Sequence, residues 1–265
     1  MERAQYIELY NTEKDHWWFR GRRRIISECL RLFCPQKVER ALDIGCGTGF
    51  NAVLLGNFSK NVFGLDFSDV AADLAKKLNP DFTLIKGEFP EIKLDEQYNV
   101  ITLLDVLEHI EDDVAALKRI EELLAPGGLA LITVPAFDFL WTEHDKLLHH
   151  KRRYAKPGLM SLIRSRTNLT IKKISYFNAF MFLPILVFRY LRRAFNLGEG
   201  ESDFFMLPKP LNYALEKIFS LEAKILRLAN FPFGVSIICV LQKPARSSPI
   251  SVKQNLQSNN LKKQQ

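Results

Sequence analysis

Between residues 38 and 135, short apolar runs alternate with longer amphipathic stretches. The runs at 40–44, 61–65, 82–85, 98–104 and 129–134 have the length and composition of strands. Helices are predicted over 49–58, 69–78 and 112–124. Ser68 and Asp69 have the chemistry of caps for the second helix, and Pro126-Gly127-Gly128 stops the third. This alternation predicts a parallel sheet covered by helices on both faces.

The flanks read differently. Residues 1–35 form a helical segment in which Ile25, Ile26, Cys29, Leu30 and Phe33 recur at helical spacing. Trp17, Trp18 and Phe19 stand ahead of its basic run, Arg20, Arg22, Arg23 and Arg24, and Pro35 marks the boundary. The two tryptophans can lid a site, sit at a membrane interface, or simply pack the helix onto the domain. After Pro135 comes a loop over 136–155 rich in His, Asp and Arg, then a helix near 157–166 and a strand near 169–177. An apolar stretch at 179–188, a helix at 211–228 and a β-branched strand at 234–241 complete the pattern. The main domain is thus 36–245, and the polar residues 246–265 are predicted to be disordered.

Composition changes this picture little. An apolar fraction of 47% and a charged fraction of 25% in 265 residues suit one large globular domain with an insertion. Cys29, Cys34, Cys46 and Cys239 show neither paired metal spacing nor a secreted framework, which points to a reducing cytoplasm. Charge adds more. The net +7 is uneven, and residues 146–198 hold 12 Lys and Arg with no Asp or Glu. Such a gap favours an anionic partner, either a phosphorylated small molecule or an acidic membrane surface. No nucleic-acid motif accompanies it, which disfavours nucleic acid. The apolar stretch 179–188, broken by Pro184 and followed by Arg189, Arg192 and Arg193, is too short to span a bilayer. It suits a peripheral membrane contact, or a cap over an apolar or lipid-linked acceptor.

The sharpest chemical signal is Ala41-Leu42-Asp43-Ile44-Gly45-Cys46-Gly47-Thr48-Gly49, three alternating glycines between a strand and a helix. Glycines allow a sharp turn and close approach to a ligand, and the helix N-terminus beyond offers free N–H groups. A dinucleotide loop would place a third glycine where this chain has Phe50, which argues against a nicotinamide enzyme. Asp43 can accept a hydrogen bond from a ligand ammonium group. Asp66, closing the second strand, can accept the hydroxyls of a ribose.

With these residues in view, the chain resembles the class I S-adenosylmethionine-dependent methyltransferases, in particular the broad group that includes ubiquinone-biosynthesis enzymes. The matching segments are ALDIGCGTG (41–49), FGLDFS (63–68), LLDVLEHIEDD (103–113) and LLAPGGLALITVP (123–135). The resemblance implies an α/β fold with a doubly wound, Rossmann-like, mostly parallel sheet. Its terminal antiparallel hairpin would be 169–177 and 234–241, with a helical cap inserted at 178–232. The implied cofactor is S-adenosyl-L-methionine. By position, Asp43, Gly45 and Gly47 would line its methionine portion, and Asp66 would hold the ribose. Gly87 and Glu88 would lie near the adenine, although Glu88 stands where Asp is more usual. Asp105 and Val106 would lie near the methionine and sulfonium, followed by Glu108 and His109.

Methyl transfer to a hydroxyl needs its proton removed, and His144 or His149, steadied by Asp145, are the candidate bases. The spacing of His144, Asp145, His149 and His150 matches no standard metal site, so no metal is predicted. Arg152, Arg153 and Tyr154 suit an acceptor phosphate or carboxylate. The alternative to an enzyme is a non-catalytic cofactor-binding or membrane-surface protein with the same fold.

Overall fold

The computed structural model describes residues 3–80, 82–195 and 206–245, without the side chains of residues 4, 5, 144 and 192–194. The helical segment is two helices, α1 (Arg3–Glu13) and α2 (Trp17–Phe33). His16 caps the second, its ring accepting a hydrogen bond from the Trp18 N–H at 3.3 Å.

The sheet comprises β1 (Val38–Ile44), β2 (Ser59–Asp66), β3 (Thr83–Lys86), β4 (Tyr98–Leu104), β5 (Leu124–Pro135), β6 (Thr170–Phe177) and β7 (Ser236–Gln242). Its order is β3-β2-β1-β4-β5-β7-β6. The first five strands are parallel, and β7 runs antiparallel between β5 and β6. This is the doubly wound sheet with a terminal hairpin that the sequence predicts. β5 begins earlier than expected. Leu124 already pairs with Tyr98, and Gly127 donates to the Lys243 carbonyl, so the Pro-Gly-Gly segment continues the strand through a register shift.

Helices α3 (Phe50–Leu55), α4 (Asp69–Leu78), α5 (Asp113–Leu123), α6 (Glu143–Leu147) and α7 (Lys156–Arg166) follow in chain order. The insertion before the last strand carries α8 (Phe182–Ala194) and α9 (Lys209–Leu226). Neighbouring residues of the central strands enter opposite layers, because successive side chains of a strand point to opposite faces. Leu42, Ile101 and Ile132 pack with Leu117 and Ile120 of α5 and Leu159 and Ile163 of α7. Ala41, Val100 and Leu131 pack with Ile25, Ile26, Cys29 and Leu30 of α2 and Phe219, Ala223 and Leu226 of α9.

The insertion is therefore divided. α9 belongs to the core layer beside α2 and reaches the crevice described below only through Leu215, whereas α8 meets it through Pro184, Ile185, Phe188 and Arg189. The α2–α9 contact is close at Gly21, where a Cβ would lie 2.3 Å from the Phe219 ring. Much of the basic run is used here: Arg20 and Arg24 both reach buried Glu216 of α9, at 2.8 and 2.9 Å. All four cysteines are buried and free. Among the described residues no helix is long and apolar enough to cross a membrane. The tail 246–265 lies outside the described residues.

Candidate active site

The chain leaves β1 toward β2 and β3, then returns to place β4 on the other side of β1. The reversal opens a crevice beyond the carboxyl ends of β1 and β4, where open α/β sheets bind ligands. The glycine loop lines it. Gly45, Gly47 and Gly49 have φ of 66°, 52° and 87°, which an L side chain adopts only with strain. A Cβ on Gly45 would press on Val106 at 2.4 Å, whereas one on Gly47 would meet nothing within 4 Å. Gly47 thus faces open space. Asp66, at the end of β2, accepts the Gly47 N–H and the Ser68 N–H, both at 2.9 Å, and burial raises its pKa.

Asp43 lies one layer deeper. Its Oδ1 accepts a hydrogen bond from the Thr102 hydroxyl at 2.6 Å, and its Oδ2 has no hydrogen-bond partner. Burial pushes this carboxyl up to about 7, against the opposing effects of Thr102 and Arg22. Among the described residues, Ile44, Gly45, Cys46, Gly47 and Thr48 line the cavity and Asp43 does not. Gly87, Glu88, Asp105 and Val106 do line it. Asp105 has φ of 56° and accepts from Thr133 Oγ1 at 3.1 Å and from Arg22.

Arg22 is the residue that sequence reasoning missed. It lies three and four positions before Ile25 and Ile26, hence on the inward stripe of α2, and is only 6% exposed. Its guanidinium binds Asp105 and lies 4.8 Å over the Trp18 ring. It also opposes the upward pKa shifts that burial imposes on Glu13, Asp43 and Glu108. Glu13 in turn accepts from the Thr48 hydroxyl, tying α1 to the glycine loop.

The second wall comes from the turn after β4 and the loop before α7. Asp145 is fully buried, and the imidazole it holds is His150, not His149: His150 Nδ1 lies 2.8 Å from Asp145 Oδ1. Arg153 donates to the same carboxylate through two nitrogens at 2.8 and 2.9 Å, and the Thr142 N–H does so at 2.7 Å. Burial alone would raise the Asp145 pKa, but the bonds from His150 and Arg153 hold it well below the usual range. His149, with φ of 57°, is exposed at the cavity rim. The His144 side chain lies outside what the structure describes.

Arg152, Arg153 and Tyr154, expected to meet an acceptor anion, also have partners within the fold. Arg152 pairs with Asp113 at 3.0 Å, Arg153 serves Asp145, and the Tyr154 hydroxyl donates to Asp113. These donors are engaged within the fold. Glu108 is fully buried with neither carboxylate oxygen hydrogen-bonded, and burial, then Asp105, raise its pKa well above the usual range. Burial and His150 lower His109 to about 4, leaving it neutral at pH 7.

Both walls belong to one cavity of about 1150 Å³. Met181, Pro184, Ile185 and Phe188 of the α8 segment roof it, and Trp17 and Trp18 close one end. Trp17 also packs edge-on to Phe219 at 5.8 Å, so the tryptophans both pack and line.

Dinucleotide enzymes share such a crevice, but their loop needs a third glycine where α3 here starts with Phe50. Fold and loop spacing together are those of the class I S-adenosylmethionine-dependent methyltransferases. The chain belongs to the family described as "Methyltransferase domain", whose model matches residues 17–179. A probable S-adenosylmethionine-dependent methyltransferase of Mycolicibacterium smegmatis is 27% identical over 123 residues, which cover 46% of this chain and 47% of that one. A ubiquinone biosynthesis O-methyltransferase of Rickettsia bellii is 26% identical over 149 residues, covering 50% and 62%. The chain thus spans about half to three-fifths of the length of these curated relatives. Among solved structures, the plantazolicin methyltransferase BpumL, in complex with a desmethyl analogue and S-adenosylhomocysteine, superposes with a TM-score of 0.58. It is 16% identical, with 91% of this chain and 90% of that one covered. The N-methyltransferase NodS of Bradyrhizobium japonicum gives 0.53 at 15% identity, covering 84% and 87%. At such identities the likeness is one of fold.

Asp43 yields a prediction. Its folded pKa is raised, so its contribution to stability is full below about pH 4 and is lost as pH rises through about 7. Asp43→Asn removes that loss. Urea unfolding from pH 4 to pH 8 should show the variant gaining on the wild type as pH rises. A constant or reversed gap would contradict the burial argument.

Proposed function

We propose that this chain transfers the methyl group of S-adenosylmethionine to an oxygen of a small-molecule acceptor whose apolar part lies beneath α8. The observation that carries the reading is the single cavity joining the glycine loop to a polar wall and an apolar roof. The cofactor half fits on three counts. Gly47 leaves open space, the Asp66 carboxylate lines the crevice, and backbone N–H groups surround the loop. Asp66 would hold the ribose, and Gly45, Gly47, Asp105 and Val106 would border the methionine portion. Gly87 and Glu88 stand where the adenine would lie. When bound, the cofactor supplies a methyl group already made electrophilic by its sulfonium.

The chain's own residues then have to position an acceptor and exclude water. Buried polar groups require partners, and among the described residues the Glu108 carboxylate and the Asn178 amide, both at this cavity, have no hydrogen-bond partner. An acceptor hydroxyl would satisfy them. The wall where Glu108, His109 and His150 meet would orient that hydroxyl and ease the loss of its proton. The apolar roof suits an acceptor with an extended hydrocarbon or aromatic body.

A second observation favours peripheral membrane contact. α8 is apolar on two sides, facing the cavity through Ile185 and Phe188 and solvent through Leu183 (65% exposed), Val187 and Tyr190 (71%). An apolar helix face turned to solvent is ordinarily covered. A lipid-linked acceptor entering beneath α8 would make use of both sides.

Two experiments test this. Calorimetry with S-adenosylhomocysteine should give binding that Asp66→Ala weakens roughly 10–100-fold, the worth of a hydrogen bond to a charged group. Wild-type affinity in the variant would remove Asp66 from the cofactor site. Flotation with anionic vesicles should recover the wild type but not Leu183→Ser/Val187→Ser, and equal recovery of both would end the membrane reading.

A further inference from the structure

We propose that Glu108, His109 and His150 form a binding site for a divalent transition-metal ion, of the zinc, cobalt(II) or iron(II) kind, on the cavity wall. One ligand atom from each lies within 4.8 Å of those of the other two. Tetrahedral bonds of about 2.0–2.2 Å set ligand atoms about 3.3–3.6 Å apart, so side-chain rotations that bring these atoms together by up to about 1.5 Å close the shell.

Three independent features point the same way. The first is Glu108, fully buried with both oxygens lacking a hydrogen-bond partner, a state that calls for a cation or a donor. The second is the outer bonding of the two imidazoles. His150 Nδ1 faces Asp145 at 2.8 Å, and His109 is hydrogen-bonded to the Leu148 backbone. His150 thus has its Nδ1 held from behind, which leaves Nε2 as its ligand atom, and His109 is anchored to the backbone, as metal-ligating histidines commonly are. The third is rigidity. Asp145 is itself fixed by Arg153 and Thr142, and the Lys151 N–H donates to the Glu108 carbonyl at 2.8 Å, joining the two segments that supply the ligands. The rings lie 4.7 Å apart and at 83°, edge to face and not stacked.

The nearest guanidinium groups do not fill the place, since Arg22 is bound to Asp105 and Arg153 to Asp145. Sequence spacing could not reveal this set. It joins the turn after β4 to a loop some forty residues on, whereas the local motif offers only His144, Asp145, His149 and His150. Two histidines and a carboxylate leave coordination positions open. On the methyl-transfer reading, on which this clause alone rests, an acceptor oxygen takes one of them.

The test is titration of the chelator-stripped full chain with cobalt(II) chloride, followed by visible absorption. The wild type should develop the absorption of low-coordinate cobalt, saturating at a single equivalent. Glu108→Gln and His150→Ala should each abolish it, and Asp145→Asn, which reaches the ion only through His150, should weaken binding roughly 10–100-fold. His149→Ala should bind as the wild type does. Calorimetry with S-adenosylhomocysteine on every variant reports whether the fold and the cofactor half survive. For any variant that fails to fold, pulsed electron paramagnetic resonance of the copper(II)-loaded wild type should show coupling to two imidazoles. No cobalt absorption in the wild type, absorption unchanged in Glu108→Gln and His150→Ala, or copper bound without imidazole would each overturn the site. Absence of S-adenosylhomocysteine binding in the wild type would instead count against the cofactor reading and leave the metal result intact.

Discussion

The crevice and the layer just beneath it gather the carboxyl groups of Glu13, Asp43, Asp66, Asp105 and Glu108, and the cation common to most of them is Arg22. It binds Asp105 directly and opposes the burial-driven shifts of Glu13, Asp43 and Glu108. Like charges confined in a poorly solvated space must be neutralised or matched, because burial penalises the ionised form heavily. Arg22 can reach this position only because α2 lies on the sheet beside α9, with Gly21 against Phe219 and Arg20 and Arg24 on Glu216. The helical segment at the start of the described chain is thus part of the site's electrostatics as well as its packing.

The fold was legible because each strand–turn–helix unit carries local chemistry. The loop 41–49 shows its turn in its glycines, α4 shows its cap in Ser68, and β4 shows burial in its apolar run. Asp66 was legible for the same reason, as the acid that ends a strand. What escaped was tertiary. Which histidine meets Asp145 depends on the left-handed His149, which turns the chain so that His150 comes back over Asp145, its N–H bonding to the Asp145 carbonyl at 2.9 Å. No periodicity registers a single positive φ. Likewise α9 reads as an amphipathic helix, and only the structure shows its stripe of Phe219, Ala223 and Leu226 facing α2 and not the crevice. Arg22 could have been found, since it falls on the apolar stripe of α2, but it was one arginine in a run of four.

The division of the insertion has a functional consequence. α9 fixes the roof's base in the core, while α8 meets the cavity through Pro184, Ile185 and Phe188 and presents Leu183 and Tyr190 outward. The cofactor side is built on strands and their first turns, which suits a ligand of fixed shape. The opposite side of the cavity is built from loops and one helix, where changes in sequence alter the pocket without disturbing the sheet. This is the physical reason the cofactor can be read from the chain and the acceptor much less so.

The central claim is that the glycine loop, the end of β2 and the Arg22 region of α2 form one ligand site. Hydrogen–deuterium exchange with and without S-adenosylhomocysteine tests it most directly. The account predicts that ligand slows exchange together at residues 44–50, 65–68 and 17–24, leaving the β6–β7 hairpin unchanged. Slowing confined to the hairpin, or protection of the glycine loop with none in α2, would contradict it.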